Sequence, residues 1–399
     1  MSLEPGDLRK LYTEKHAKSM GKRELLLIIG FAMLATGIYV ATAPESPAGG
    51  LGDSFSKLFD EIRREVRGNQ ASTEMTTTAA HPLTAEISEI RMNIRTAQLT
   101  ITGEDRADVA SELFVWSNGY DEAQAKSLAA QTQLKVETAG PAMLITIAFP
   151  QPGTQRARLT LRVPSRMRIQ FVETNGRLEV SNVAAVQHEM ARGETLVRKV
   201  PSRVSITHRG GKLTVADVGP VRLNTRGSDV ELSGVKGETV LQVQSGDVRA
   251  GDLLGPVEVE SQSAEIILER FEKARDPLRI VANGGRITVR GLRTETRIEG
   301  RDAEIQIALD QAAPLAIFNS EERVEIIPPA GGYTLDAVAS HGEIVIPDDL
   351  KKTIDFKDAP SENEQRASGK INGGGPVITV RNSRADIRLS PPAAASENR

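Results

Sequence analysis

Residues 221–268 read VRLNTRGSDVELSGVKGETVLQVQSGDVRAGDLLGPVEVESQSAEIIL, and their spacing decides the fold. Val221, Leu223, Val230 and Leu232 reappear 18 residues on as Thr239, Leu241, Val248 and Ala250, then as Val257, Val259, Ile266 and Leu268. Within each pair, inward positions alternate with polar ones, the period-two signature of a strand buried on one face. Two short strands of this kind cannot bury their apolar faces alone. Stacked in register, equal units form parallel sheets around one continuous core.

The unit extends in both directions. It can be anchored on Leu178, Leu213, Val230, Val248, Ile266, Ile287, Ile305, Val324, Ile344 and Ile387. The positions nine and seven before each anchor and two after it are apolar in 28 of 30 slots, where the 39% hydrophobic composition gives about 12. A third inward column, Val183, Val218, Val235, Leu253, Phe271 and Leu292, makes the cross-section roughly triangular. Gly210-Gly211, Gly227-Ser228, Ser245-Gly246 and Asn283-Gly284-Gly285 supply the positive φ of sharp corners. One stretch breaks the pattern: a unit centred on Leu196 would turn Gln187, Glu189 and Arg198 inward, which reads as an irregular rung or an outward loop.

The expectation is therefore an all-β parallel β-solenoid of about 18-residue rungs over 165–390. A loop insertion at 347–376 should return to a last rung, Val377–Leu389, before a disordered tail at 391–399. Residues 84–164 mix strands with a helical stretch, Asp121 to Leu134, and predict a small mixed α/β cap over an otherwise exposed sheet edge.

Upstream, residues 25–44 (LLLIIGFAMLATGIYVATAP) carry no charge and are long enough to cross a bilayer as one helix. Lys15, Lys18, Lys22 and Arg23 precede this run, and the next basic residue is Lys57. That asymmetry places residues 1–24 in the cytoplasm and the rest outside. Ala41-Thr42-Ala43 also resembles a signal-peptidase site, but the long polar leader favours an uncleaved anchor. Residues 45–83 read as a stalk. Phe55, Leu58, Phe59, Ile62 and Val66 give it a short amphipathic helix, and 69–83 reads as linker.

Composition narrows the function. The 399 residues hold 50 basic and 53 acidic side chains, a formal charge of −3, so nothing draws the chain to nucleic acid. With no cysteine, disulfides, thiolate zinc sites and a cysteine nucleophile are excluded.

Several motifs in order resemble the bacterial adhesin-like family catalogued as domain of unknown function 4097. They are Ile101-Thr102-Gly103-Glu104-Asp105, a helical stretch before Leu134-Lys135-Val136, ARLTLRVP at 157–164, Glu173-Thr174-Asn175-Gly176, repeated G-D-V or G-x-I steps, and the closing GGGPVITVRNSRADIRL. The likeness covers roughly residues 84–390 and implies a β-solenoid, often membrane-anchored, with no catalytic residue to carry over. Ser228, Ala264, Ala303, Glu322 and Ala385 depart from the family by standing where its corner glycine is expected.

Residues that could carry chemistry are sparse. His16, His81, His188, His208 and His341 lie far apart with no metal-binding spacing. The glycine-rich segments sit at strand corners and lack the G-K-[ST] ending of a phosphate loop. A charged residue precedes every anchor, and stacking turns these into a ladder with Asp229, Asp247 and Glu265 on consecutive rungs. A calcium site is the sharper reading of that triplet. A solvated ladder is the plainer one, and the absence of a nonapeptide calcium repeat favours it. No catalytic residue, cofactor or committed metal site is expected. A polysaccharide-active enzyme would need a cleft and aromatic platforms, yet the solenoid region has no Trp. The sequence thus points to a single-pass protein of the bacterial cytoplasmic membrane whose extracytoplasmic solenoid binds an unknown protein or glycan, as an adhesin-like module or envelope scaffold. The alternative is an envelope sensor acting through residues 1–24.

Overall fold

The computed structural model describes residues 71–391, apart from 95–96, 152, 272 and 360–362. The expected cytoplasmic segment, membrane helix over 25–44, amphipathic stalk helix and tail beyond 391 all lie outside the described residues. Among those described, no helix is long and apolar enough to cross a membrane.

The chain opens with β1 (Ala71–Pro82), β2 (Glu89–Met92), β3 (Ala97–Glu104) and β4 (Asp108–Gly119), then helix α1 (Glu122–Gln131). Next come β5 (Gln133–Ala139), β6 (Ala142–Ala148) and β7 (Gln155–Pro164). Eight long bent strands each make one rung: β8 (Arg168–Ser181), β9 (Ala185–Val200), β10 (Val204–Val218), β11 (Val221–Val235), β12 (Thr239–Leu253), β13 (Val257–Glu269), β14 (Leu278–Leu292) and β15 (Thr296–Leu309). Shorter strands complete the chain: β16 (Leu315–Ser320), β17 (Val324–Ile327), β18 (Tyr333–Ser340) and β19 (Ile344–Val345). They are followed by β20 (Asp355–Ala359), β21 (Glu364–Ile371), β22 (Val377–Ser383) and β23 (Ile387–Leu389).

The rungs stack in parallel with the register that the repeat predicts. Val204, Ile206, Leu213 and Val215 lie opposite Val221, Leu223, Val230 and Leu232, and these in turn oppose Thr239, Leu241, Val248 and Ala250. Each of these residues is buried, as is the third column from Val183 to Leu292. Burial of each large aliphatic side chain contributes ~1.5–3 kcal/mol, so the core is a continuous row down the solenoid with no single focus.

The expected corner segments carry the positive φ, at Gly210, Gly211, Gly227, Ser245, Gly246, Gly284 and Gly285. The left-handed backbone that recurs lies immediately before the supposed corner glycine, at Gly227 (φ 60), Ser245 (φ 61), Ser263 (φ 51) and Asp302 (φ 55). Ser228, Ala264 and Ala303 keep ordinary φ and tuck their small side chains inside, so no corner is distorted by their departure from glycine. Glycine is required where both corner residues are left-handed. At Gly211 (φ 96) a Cβ would sit 2.2 Å from the Gly193 carbonyl oxygen.

Of the two readings of the stretch around Leu196, an irregular rung or an outward loop, the structure shows the irregular rung. β9 is a rung centred one residue earlier: Leu178 faces Thr195, Phe171 faces His188 and Val180 faces Val197. Gln187, Glu189 and Arg198 point outward, and a register shift against β10 around His208 absorbs the irregularity. An apolar scan misses this rung because two of its inward residues, His188 and Thr195, are polar.

At both ends spatial order departs from chain order. β6 and β7 form the first parallel rung, β2 and β3 the second, and β8 the third. β5 and β4 then cover β6 and β7 in antiparallel fashion, and β1 covers β4. Residues 84–164 therefore supply two rungs of the stack as well as its cover. Where a linker was expected over 69–83, residues 71–82 form the strand β1. Most residues of β1 are exposed and none is buried, so it has no hydrophobic alternation to read.

At the far end, β22 and β23 slide between β16/β17 and β18/β19. The rung expected last is therefore next to last. The insertion supplies β21 and β20, which close the stack in antiparallel fashion beyond β18. Asn382 pins the inserted rung by donating to the Glu322, Ala385 and Asp386 carbonyls at 3.0, 3.0 and 3.2 Å.

Candidate binding groove on the first rungs

Strand alternation sends Leu113 and Val115 of β4 into the core and leaves Phe114 and Trp116 on the outer face, each half-buried. In β7 the same alternation buries Ala157 and Leu159 and exposes Arg156 and Arg158. Antiparallel pairing places Phe114 opposite Arg158 and Trp116 opposite Arg156. The guanidinium of Arg158 lies 4.9 Å from the Phe114 ring centroid, and that of Arg156 lies 5.5 Å from the Trp116 ring. Such contacts hold the cation over the electron-rich face of the ring while its N–H groups stay free.

Beyond Arg158 the row continues across β3 and β8 through Gln98 and Arg177. Together these residues line a groove of about 730 Å³, with Glu74 of β1 on its far wall. Arg177 has a distant carboxylate partner, Glu194 at 3.8 Å. Arg156 and Arg158 have no carboxylate within 4.0 Å among the described residues. The groove thus offers two half-buried aromatic rings, two guanidinium groups stacked on them and free of acidic partners among the described residues, and the Gln98 amide.

A second cleft, of about 520 Å³, surrounds Phe318 near the other end. Here Arg297 stacks 5.0 Å from the Phe318 ring. Arg297 also binds Glu299 at 2.7 Å, and Arg381 binds Asp336 at 2.5 Å, so its cations are already neutralised. The first groove is the better anion site.

The sequence-derived ladder is in place. Asp229, Asp247 and Glu265 are exposed on β11, β12 and β13, with Asp247 directly opposite Glu265. Cations bound the row: Lys212 faces Asp229 at one end and Arg286 faces Glu265 at the other. Arg286 and Arg323 hold Glu304 at 2.9 and 2.7 Å, and their hydrogen bonds keep its carboxyl below the usual range. Among the described residues no three acidic or histidine side chains converge on a point.

Two histidines far apart in sequence both lie in the core. His188 and His208 are enclosed in the core on neighbouring rungs. His188 lies 3.0 Å from the Thr174 hydroxyl, and its ring centroid is 5.0 Å from that of Phe171. Burial, with a smaller contribution from His208, pushes its pKa down to about 3. Elsewhere, His81 reaches Ser111 at 3.0 Å, and His341 occupies a left-handed corner (φ 56).

Residues 87–390 match the family model described as Toastrack DUF4097. The chain belongs to the toastrack family. No curated protein matches it. Among solved structures, a candidate adhesin from Parabacteroides merdae is 10% identical over 81% of this chain and 98% of its own, with a TM-score of 0.31. A candidate adhesin from Parabacteroides distasonis is 14% identical over 65% and 98%, with a TM-score of 0.28. A candidate lipid-binding protein from the same organism is 11% identical over 80% and 97%, with a TM-score of 0.26. What the groove of this toastrack protein can hold follows from its own side chains. Nothing in the repeat pointed to it. Trp116 lies outside the regular rungs, and only the register of β4 against β7 brings it to the arginines.

Proposed function

We propose that this toastrack protein is a membrane-anchored, extracytoplasmic binding module that holds an acidic glycan in the groove of Trp116, Phe114, Arg156 and Arg158. The reading is carried by one observation: two guanidinium groups stacked on aromatic faces without a carboxylate partner. Aromatic faces suit the C–H side of a sugar ring, and a guanidinium binds a carboxylate through paired hydrogen bonds. The charge-free run at 25–44, with its basic residues on the N-terminal side, supports a single-pass anchor in the bacterial cytoplasmic membrane with the solenoid outside.

We read the module as non-enzymatic. Glycoside hydrolysis ordinarily needs two carboxyl groups flanking the bond, and Glu74 is the one carboxylate among the described residues lining the groove. The test is binding of the full chain to polygalacturonate and to its methyl ester. Retention of the acid form alone, lost in Arg158→Ala and in Trp116→Ala, supports the reading. Equal binding of both polymers, or binding indifferent to both substitutions, would sink it.

A further inference from the structure

We propose that β1 is an interface, and that its occupant is β1 of a second copy of this chain, paired antiparallel about a two-fold axis. β1 is hydrogen-bonded to β4 along one edge; along the other, no strand pairs with it among the described residues. Three other strands also have a single neighbour: β5, β19 and β20. Each of those edges is guarded in a familiar way. β5 carries Lys135 and Glu137, β20 packs Asp355, Lys357 and Asp358 into five residues, and β19 is two residues long. Charge and shortness are how natural sheets stop a foreign strand from adding to an edge. β1 has neither. It is 12 residues long, and its sequence ASTEMTTTAAHP holds one charged residue, Glu74.

The side chains point the same way. Met75 and Thr77 lie opposite Val115 and Leu113, on the face that β4 turns to the core. Val115 and Leu113 are 2% and 3% exposed, whereas Met75 is 40% exposed. Helix α1 packs against β1 as well as β4, and Met75 nevertheless stays open to solvent.

A row of backbone N–H and C=O groups is satisfied by another strand, which rules out the amphipathic segment 53–68, read as a helix, as the occupant. A second β1 needs no complementary charges, brings Met75 toward Met75, and closes both edges at once, so the assembly stops at two. With the two strands fully overlapped, their N-terminal ends would lie ~40 Å apart at ~3.3 Å per residue. The 26 residues from 45 to 70 can span more than that, so both copies reach one membrane.

The chain has no cysteine, so single-cysteine variants of the full protein in lipid nanodiscs give clean disulfide trapping. In an antiparallel two-fold pair, a residue meets its own copy only near the axis. We expect a scan from Thr73→Cys to Ala79→Cys to yield covalent dimer at one or two adjacent positions, falling away on both sides. Adding lysines at two other exposed positions, such as Thr76→Lys and Thr78→Lys, should abolish the dimer and still leave a cooperative melt. Uniform trapping along β1 would mean parallel pairing and would overturn the proposal. So would trapping no stronger than at Lys135→Cys on β5, or a dimer that survives the two lysines.

Discussion

The Nδ1 atom of His208 lies 2.9 Å from the hydroxyl oxygen of Ser228 on the next rung, and both side chains are fully enclosed. Ser228 occupies a corner position where the neighbouring rungs carry Gly211 and Gly246, so its side chain fills space that glycine leaves open. It also accepts the Gly210 backbone N–H at 3.1 Å. A polar seam thus runs through an aliphatic core, from Thr174 and His188 on one side to His208 and Ser228 on the other.

Ser228→Ala removes the partner of both groups without changing the corner's shape. A buried donor or acceptor left without a partner costs ~1–3 kcal/mol. The melting temperature should fall, whereas Ser233→Ala, at a partly exposed site of the same rung, should leave it near the parent value. Equal effects would show that the seam is not what Ser228 supports.

Acid should unfold the protein through the same seam. The His188 pKa falls from its ordinary 6.5 to about 3 on folding, and burial lowers His208 as well. Below the unfolded value the unfolded chain binds protons that the folded chain refuses. Stability is therefore full above pH ~6.5 and declines as the pH falls toward ~3, by at most ~1.4 kcal/mol per pH unit for each histidine. Denaturant titrations from pH 7.5 to 5 should show the decline, and His188→Phe, which extends the Phe171 column, should make it shallower. A slope unaltered in that variant would place the proton uptake elsewhere.

Register is tested by neighbours on one strand. Val230 is 2% exposed, while Glu231 stands outside and meets Lys212 at 2.8 Å. Val230→Asp buries an unpaired carboxylate at a cost of several kcal/mol and should abolish the cooperative melt. Glu231→Lys should melt close to the parent. If the two variants behave alike, the inward columns are misassigned.

Those columns were legible because apolar burial has a period of two within a rung and about 18 between rungs. The rung at β9 was not, since a column that accepts His188 beside Phe171 looks polar to any hydrophobic count. Nor was the swapped order at the ends. Ile378, Val380 and Ile387 carry the same inward pattern as every other rung, so nothing in them says which two rungs they enter between. The groove escaped for a third reason. Phe114, Trp116, Arg156 and Arg158 are ordinary outward residues until the excursion through α1, β5 and β6 brings β7 back against β4 in one register.

The acidic ladder supplies a last test, between an ion and its atmosphere. Asp229, Asp247 and Glu265 stand in line on consecutive rungs, about one strand spacing (~4.8 Å) apart, so they repel one another. Lys212 and Arg286 flank the row but do not separate its members. Any cation atmosphere relieves such repulsion, and matched ionic strengths of sodium and calcium chloride should then raise the melting temperature equally. A bound calcium ion would act differently, stabilising by mass action according to its own affinity, with oxygen ligands gathered around a point. Three exposed carboxylates in a row do not make that geometry. The expected outcome is a small stabilisation that sodium reproduces and that Asp247→Asn diminishes for both salts alike. A rise specific to calcium, and lost in Asp247→Asn, would make the ladder a metal site.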